Sequence, residues 1–206
     1  MQYVRNGSGK NEVNLKLYVK NMVCDRCIMA VKAELIQLGF HPVSVQLGEV
    51  IIDEEAIDPK ENELLKARLE KIGFEILEDK EKQTVEKIKA VIINLIHNHD
   101  NESSIKYSDY ISDHIGREYH YLSKLFSDNE ATTIEQYIIH QRIEKVKELL
   151  GYEELTLSEI AFKLGYSSVA ALSSQFKKVL GITPTEYKKM INKSRITLDK
   201  VGLIQG

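Results

Sequence analysis

Apolar and polar residues alternate in "VNLKLYV", residues 13–19, so Val13, Leu15, Leu17 and Val19 share one face of a half-buried strand. The period then changes. From Asp25 to Leu38 the apolar positions Ile28, Val31, Leu35 and Leu38 stand three or four apart, which predicts a helix ended by Gly39. "VSVQLGEVIID" returns to alternation and breaks at Gly48-Glu49, predicting a hairpin of residues 43–47 and 50–53. Asp58-Pro59 opens a second helix with the stripe Leu64, Leu65, Leu69 and Ile72, stopped by Gly73. "FEIL", 74–77, reads as a fourth strand. Two amphipathic helices need one sheet face to bury them. The βαββαβ order therefore predicts an α+β, ferredoxin-like domain over residues 11–79.

Beyond the charge run "EDKEK", 78–82, taken as a solvated boundary, the period is helical throughout. Val85, Ile88, Ile92 and Leu95 mark one helix, broken by "HNHDNESS". Later segments run over 107–115, 117–126 (Tyr121, Leu122 and Leu125 inward), 134–151, 157–164, 168–180 and about 184–191. Residues 80–192 thus form an all-α second domain, with a flexible N-terminus at 1–10 and a tail at 193–206. Two stretches echo each other: "YSDYISDHIGREYHYLSKLF", 107–126, and "LSEIAFKLGYSSVAALSSQF", 157–176. Each is a short helix, a glycine, and a second helix ending in Phe, the layout of a helix-turn-helix.

The chain, 206 residues with 43% hydrophobic and 29% charged residues, can hold two small cores. It has no apolar run near the roughly 18 residues that span a bilayer and no signal-like start, so a cytoplasmic protein with no membrane partner is expected. The net charge of -3 gives no global attraction to nucleic acid. Its distribution does. Residues 155–195 carry 7 basic and 2 acidic side chains, whereas residues 97–154 carry 6 and 12. A polyanion contact is therefore expected mainly in the last third.

In "LSEIAFKLGYSSVAALSSQFKKVLGITPTEY", residues Ile160-Ala161, Gly165-Tyr166, Phe176-Lys177-Lys178, Gly181 and Pro184-Thr185-Glu186-Tyr187 resemble the signature of the AraC/XylS class of DNA-binding domains. Leu122, Leu125, Phe126 and the joining "EQYIIHQRIEKVKELL" match more loosely. The resemblance implies a transcription regulator that binds double-stranded DNA through one or two recognition helices laid in the major groove. On the family pattern the first would offer Tyr119, His120, Ser123 and Lys124 to base edges. The second would offer Val169, Ala170, Ser173 and Ser174. His120 and Lys124 can bond purine acceptors, while Val169 and Ala170 can only touch a thymine methyl. Ser167, Ser168, Lys177 and Lys178 are phosphate contacts in this reading. Tyr166 and Phe176 read as core, and His97, His99, His114 and His140 are too scattered to form a site.

"NMVCDRC" holds both cysteines of the chain at the start of the first helix. Helix N-terminal amides favour thiolates there, and two soft sulfurs select Cu(I); Zn(II) needs two further donors, from Asp25, His41 or a second subunit. Residues 13–79 resemble the heavy-metal-associated domain of copper chaperones and metal-pumping ATPases. Met22, Cys24 and Cys27 fall on its Met-x-Cys-x-x-Cys motif and imply a metal site, with Phe74 near the loop. Asn21 stands where that family usually has Gly. No histidine is placed to activate either thiol, so catalysis is not expected.

Three readings stay open at this point. The chain is a DNA-binding regulator responsive to a soft metal, or a metal-independent regulator whose first domain holds a homodimer or a partner. The third is a cytosolic copper-binding protein with a protein-docking helical tail.

Overall fold

The computed structural model describes residues 2–5, 13–98 and 106–194. Its first part is a sheet with two helices on one face. β1 (Gln2–Arg5), β2 (Val13–Lys20), β3 (Pro42–Gln46), β4 (Glu49–Ile52) and β5 (Glu75–Ile76) alternate with α1 (Asp25–Gln37) and α2 (Pro59–Lys71) in the order β1β2α1β3β4α2β5. The sheet order is β1-β2-β4-β3, with β5 on β2, and all pairs are antiparallel. From β2 onward this is the predicted βαββαβ fold. Leu15, Leu17 and Val19 on β2 pack with Val31, Leu35, Leu65 and Leu69 of the helices. Pro42 starts the edge strand, where its missing N–H breaks no ladder, and the register slips between Pro42 and Ser44.

Four features differ from the sequence reading. Gln2–Arg5, expected to be part of a frayed terminus, pair with Val13–Lys16 of β2; residues 6–12 lie outside the described residues. Leu64 and Ile72, expected in the buried stripe, are 52% and 41% exposed, because Leu65 and Leu69 alone face the sheet core. The charge run is largely helical. Helix α3 (Lys80–Asn98) starts inside it, since Asp79 Oδ1 accepts the amides of Glu81 and Lys82 at 2.7 and 3.1 Å. At its other end α3 continues through His97 and Asn98, into the predicted break, the rest of which (99–105, with His99) lies outside the described residues.

The remaining helices are α4 (Tyr107–Ile115), α5 (Tyr119–Asn129), α6 (Ile134–Tyr152), α7 (Leu157–Lys163), α8 (Val169–Leu180) and α9 (Pro184–Ser194). With α3 they make the seven predicted helical segments among the described residues. The described residues divide into two compact units, those within 1–93 and 107–133, and those within 94–106 and 134–206. The first therefore joins the sheet, most of α3 and the α4–α5 pair. Within it, Tyr18 on the sheet face away from α1 and α2 is buried, with Lys87 of α3 4.7 Å from its ring centroid. Gln83 donates to the Leu77 carbonyl at 2.8 Å. Lys89 then bridges Glu86 (2.8 Å) and Glu130 (2.6 Å), the residue that ends α5. The second unit is built on Ile143, Val146, Leu150, Ile160, Leu172 and Phe176.

Candidate nucleic-acid interface

Both echoed stretches form a helix, a left-handed glycine and a second helix. Gly116 (φ +71°) turns the chain between α4 and α5, and Gly165 (φ +68°) turns it between α7 and α8, conformations that favour glycine. Phe126 and Phe176, the residues closing the two echoes, are both fully buried.

The second unit shows why its long sequence pattern has the residues it has. Thr156 caps α7 with a reciprocal box: the Glu159 carboxylate accepts the Thr156 amide and hydroxyl (both 2.7 Å), and the Glu159 amide returns to Thr156 Oγ1. "TPTE" repeats the device at α9, where Glu186 accepts from the amide and hydroxyl of Thr183, both at 2.7 Å. These bonds hold both carboxyls below the usual range, chiefly through the Thr156 hydroxyl for Glu159 and the Thr183 amide for Glu186. Tyr187 then meets Phe176 edge-on, ring centroids 5.6 Å apart.

Arg142 is a residue that sequence reasoning missed. From α6 its guanidinium lies 3.9 Å from the Tyr166 ring centroid and donates to the Leu164 carbonyl, clamping the α7–α8 turn. Tyr166 also donates its hydroxyl to Gln175 of α8 at 2.7 Å. An arginine in the middle of a helix gives no local sign of such a role; only its periodic distance from Ile138 and Val146 hints that it leaves the solvated face.

Of the proposed readers, His120 and Lys124 are exposed on α5 and Ala170 and Ser174 on α8, while Tyr119, Ser123, Val169 and Ser173 are half-buried. Val169 packs at the edge of the second unit's core. Ser168 caps α8: its Oγ accepts the Ala171 amide at 3.1 Å, which leaves the hydroxyl proton able to donate outward. Ser167, Lys177 and Lys178 are exposed. Tyr121, expected inward, is 50% exposed, because Leu122, Leu125 and Phe126 already fill the inner face of α5.

The two thiols come together at the start of α1. Cys24 is the N-cap residue and Cys27 the third helical residue, with Sγ···Sγ 3.6 Å. That is less than twice a metal–thiolate bond of about 2.3 Å, so one ion fits between them. The Cys27 amide lowers the Cys24 pKa most; burial opposes it, and the Cys27 thiol and the Arg26 amide and charge lower it further, so the net direction is down. Met22 is buried in the core, as is Phe74. His41 is bonded to Glu54 at 3.0 Å. Among the described residues no cluster of three or more His, Cys, Asp or Glu side chains could hold a metal ion. Asn21 has φ +70°, a region Asn tolerates, and its side chain donates to the Gly73 carbonyl at 3.0 Å.

Comparison with known proteins decides what the helical pairs are. The family described as "Helix-turn-helix domain" matches residues 111–190, from inside α4 to α9. The matched residues of the C-terminal half are thus similar to a helix-turn-helix domain. The Msm operon regulatory protein of Streptococcus mutans is 29% identical over 128 residues, 62% of this chain and 45% of that protein. A putative AraC-like transcription regulator of Streptomyces lividans is 43% identical over 54 residues, 26% of this chain and 18% of that protein. The C-terminal domain of the response regulator yesN from Fusobacterium nucleatum is 31% identical with a TM-score of 0.43, covering 50% of this chain and 98% of that one. The chain thus spans less than half the length of the curated relatives it matches. Among the described residues no helix is long and apolar enough to cross a membrane.

Proposed function

We propose that the chain is a sequence-specific DNA-binding transcription regulator that reads duplex DNA with α5 and α8. The observation that carries this reading is the pair of helix-turn-helix units, each with an inner face closed by a buried Phe and an outer face left to solvent. On α8 that outer face carries Ala170 and Ser174 between the Ser167-Ser168 cap and Lys177-Lys178. A short, mostly uncharged reader flanked by phosphate-binding groups fits a groove closely but discriminates bases modestly. The longer side chains, His120 and Lys124, are on α5. In this reading α5 supplies more of the base discrimination and α8 more of the anchoring.

The same proposal assigns Cys24 and Cys27 to a soft metal ion. Two thiolates, one of them acidified, suit Cu(I) at low coordination; Zn(II) would draw its remaining donors from beyond the groups that cluster here. The α1 start and α5 belong to one compact unit, which is what a metal-dependent change in DNA affinity needs. Binding alone does not produce such a change. The ion must prefer one of two arrangements of that unit. The experiment measures duplex affinity with and without Cu(I), for the native chain and the Cys24→Ser/Cys27→Ser variant. A Cu(I) effect confined to the native chain is expected. Equal affinity in all four arms removes the metal from the account, and no salt-dependent duplex binding in any arm removes the DNA reading as well.

A further inference from the structure

Lys80 and Lys87 of α3 face Arg117 and Tyr121 of the α4–α5 pair across a cleft of about 410 Å³, and the whole cleft lies within the first compact unit. We propose that this cleft binds phosphate oxygens of the DNA backbone, so that α3 extends the DNA contact made by α5. The inference rests on the DNA-binding reading above.

Charge is the first argument. Three cations line the cleft against the single carboxylate of Glu81. Several other basic side chains of this unit are paired with acids: Lys16 with Glu49 (2.8 Å), Lys66 with Glu78 (2.9 Å), Arg68 with Glu34 (2.7 Å) and Lys89 with Glu130 (2.6 Å). Among the described residues Lys80, Lys87 and Arg117 have no such partner. Like charges held together around a cleft repel one another, and an anion relieves that repulsion. The backbone is not the ligand here, because Asp79 already accepts the first amides of α3.

Placement is the second. On α5, Lys124 stands four residues after His120 and three after Tyr121, and all three are exposed; Arg117, also exposed, lies two residues before the helix. Tyr121 of the cleft wall is therefore a neighbour, on the helix surface, of Lys124 and His120, the two side chains best suited to base reading. This also answers a difficulty in the sequence, where residues 97–154 carry 12 acidic against 6 basic groups and make a poor polyanion surface by themselves. Lysines of α3, outside that segment, supply the missing positive charge. The chemistry is suited to phosphodiester oxygens: the Arg117 guanidinium can bond two of them at once, the lysines act as point charges, and the Tyr121 hydroxyl can donate. A free phosphate offers the same oxygens, so the test must separate the two sources.

The test uses the full chain with Lys80→Gln/Arg117→Gln, both exposed positions, and the triple variant that adds Lys87→Gln. Affinity for random-sequence duplex is followed from 50 to 300 mM KCl, and inorganic phosphate binding is measured by calorimetry. Each lost phosphate contact should reduce the slope of log affinity against log salt by about 0.9, hence by about 1.8 in the double variant and about 2.7 in the triple. An unchanged slope overturns the proposal. If the slope is unchanged but phosphate binding disappears, the cleft is a free-anion site and not a DNA contact. A slope change only in the triple variant also overturns it, since Lys87 packs on Tyr18 and its loss can release α3 from the sheet. A native chain with no salt-dependent duplex binding removes this inference together with the reading beneath it, whereas an unchanged slope in a native chain that binds removes this inference alone.

Discussion

Replacing Ala170 by glutamate is expected to weaken duplex binding by about 100-fold or more at low salt while leaving the fold as stable as before. The two effects separate because of where Ala170 sits. It is exposed at the second position of α8, just after the Ser168 cap, so the larger side chain meets no core atom. A carboxylate in the first turn of a helix interacts favourably with the free amides and the helix dipole, which makes the change neutral or slightly stabilising in the unbound protein. In a complex the same carboxylate would be driven into a groove walled by phosphates, and like charges at an interface cost several kcal/mol. Thermal melting and duplex titration measured side by side check this. A variant that melts normally and still binds like the native chain would show that α8 does not enter the groove.

The second large effect is on stability. Phe176→Ala should cost the C-terminal unit about 3–5 kcal/mol, the range for deleting a buried aromatic ring. Phe176 is fully buried, shares its core with Ile160, Leu164 and Leu172, and carries the edge of the Tyr187 ring from α9. Domains of this size are stable by only about 5–15 kcal/mol, so the loss is a large share of the whole. Urea unfolding followed by circular dichroism should show the helical transition moved to much lower denaturant. A shift worth less than about 1 kcal/mol would mean that the ring does not close the core as described.

Much of this was legible because the relevant signals are local. The alternation in β2 to β4, the helical stripes, and the glycine and Phe spacing of the two echoes each depend on neighbours a few residues away. Thr183, Pro184 and Glu186 announce their cap in the same way. What was not legible depends on partners distant in sequence. Gln2–Arg5 is a strand because β2 offers an open edge beside it, not because of its own pattern. Arg142 reads as one more helix charge until the Leu164 carbonyl and the Tyr166 ring are placed beside it. Tyr121 matched the inner stripe in hydropathy, yet three other side chains fill that face first. The charge run at 78–82 suggested a loop, while Asp79 in it turned out to be a helix cap. Of the site residues, exposure separates His120, Lys124, Ala170 and Ser174 from the half-buried Tyr119, Ser123, Val169 and Ser173, a distinction that spacing alone did not make.

The central claim is that both second helices, one from each helix-turn-helix unit, lie against duplex DNA. Hydrogen exchange read by mass spectrometry, on the full chain with and without a duplex enriched from a random pool, tests it most directly. Slowed exchange is expected in two separate stretches, Tyr119–Asn129 and Val169–Leu180. Enrichment of no sequence, or protection that spares both stretches while appearing elsewhere, would contradict the account.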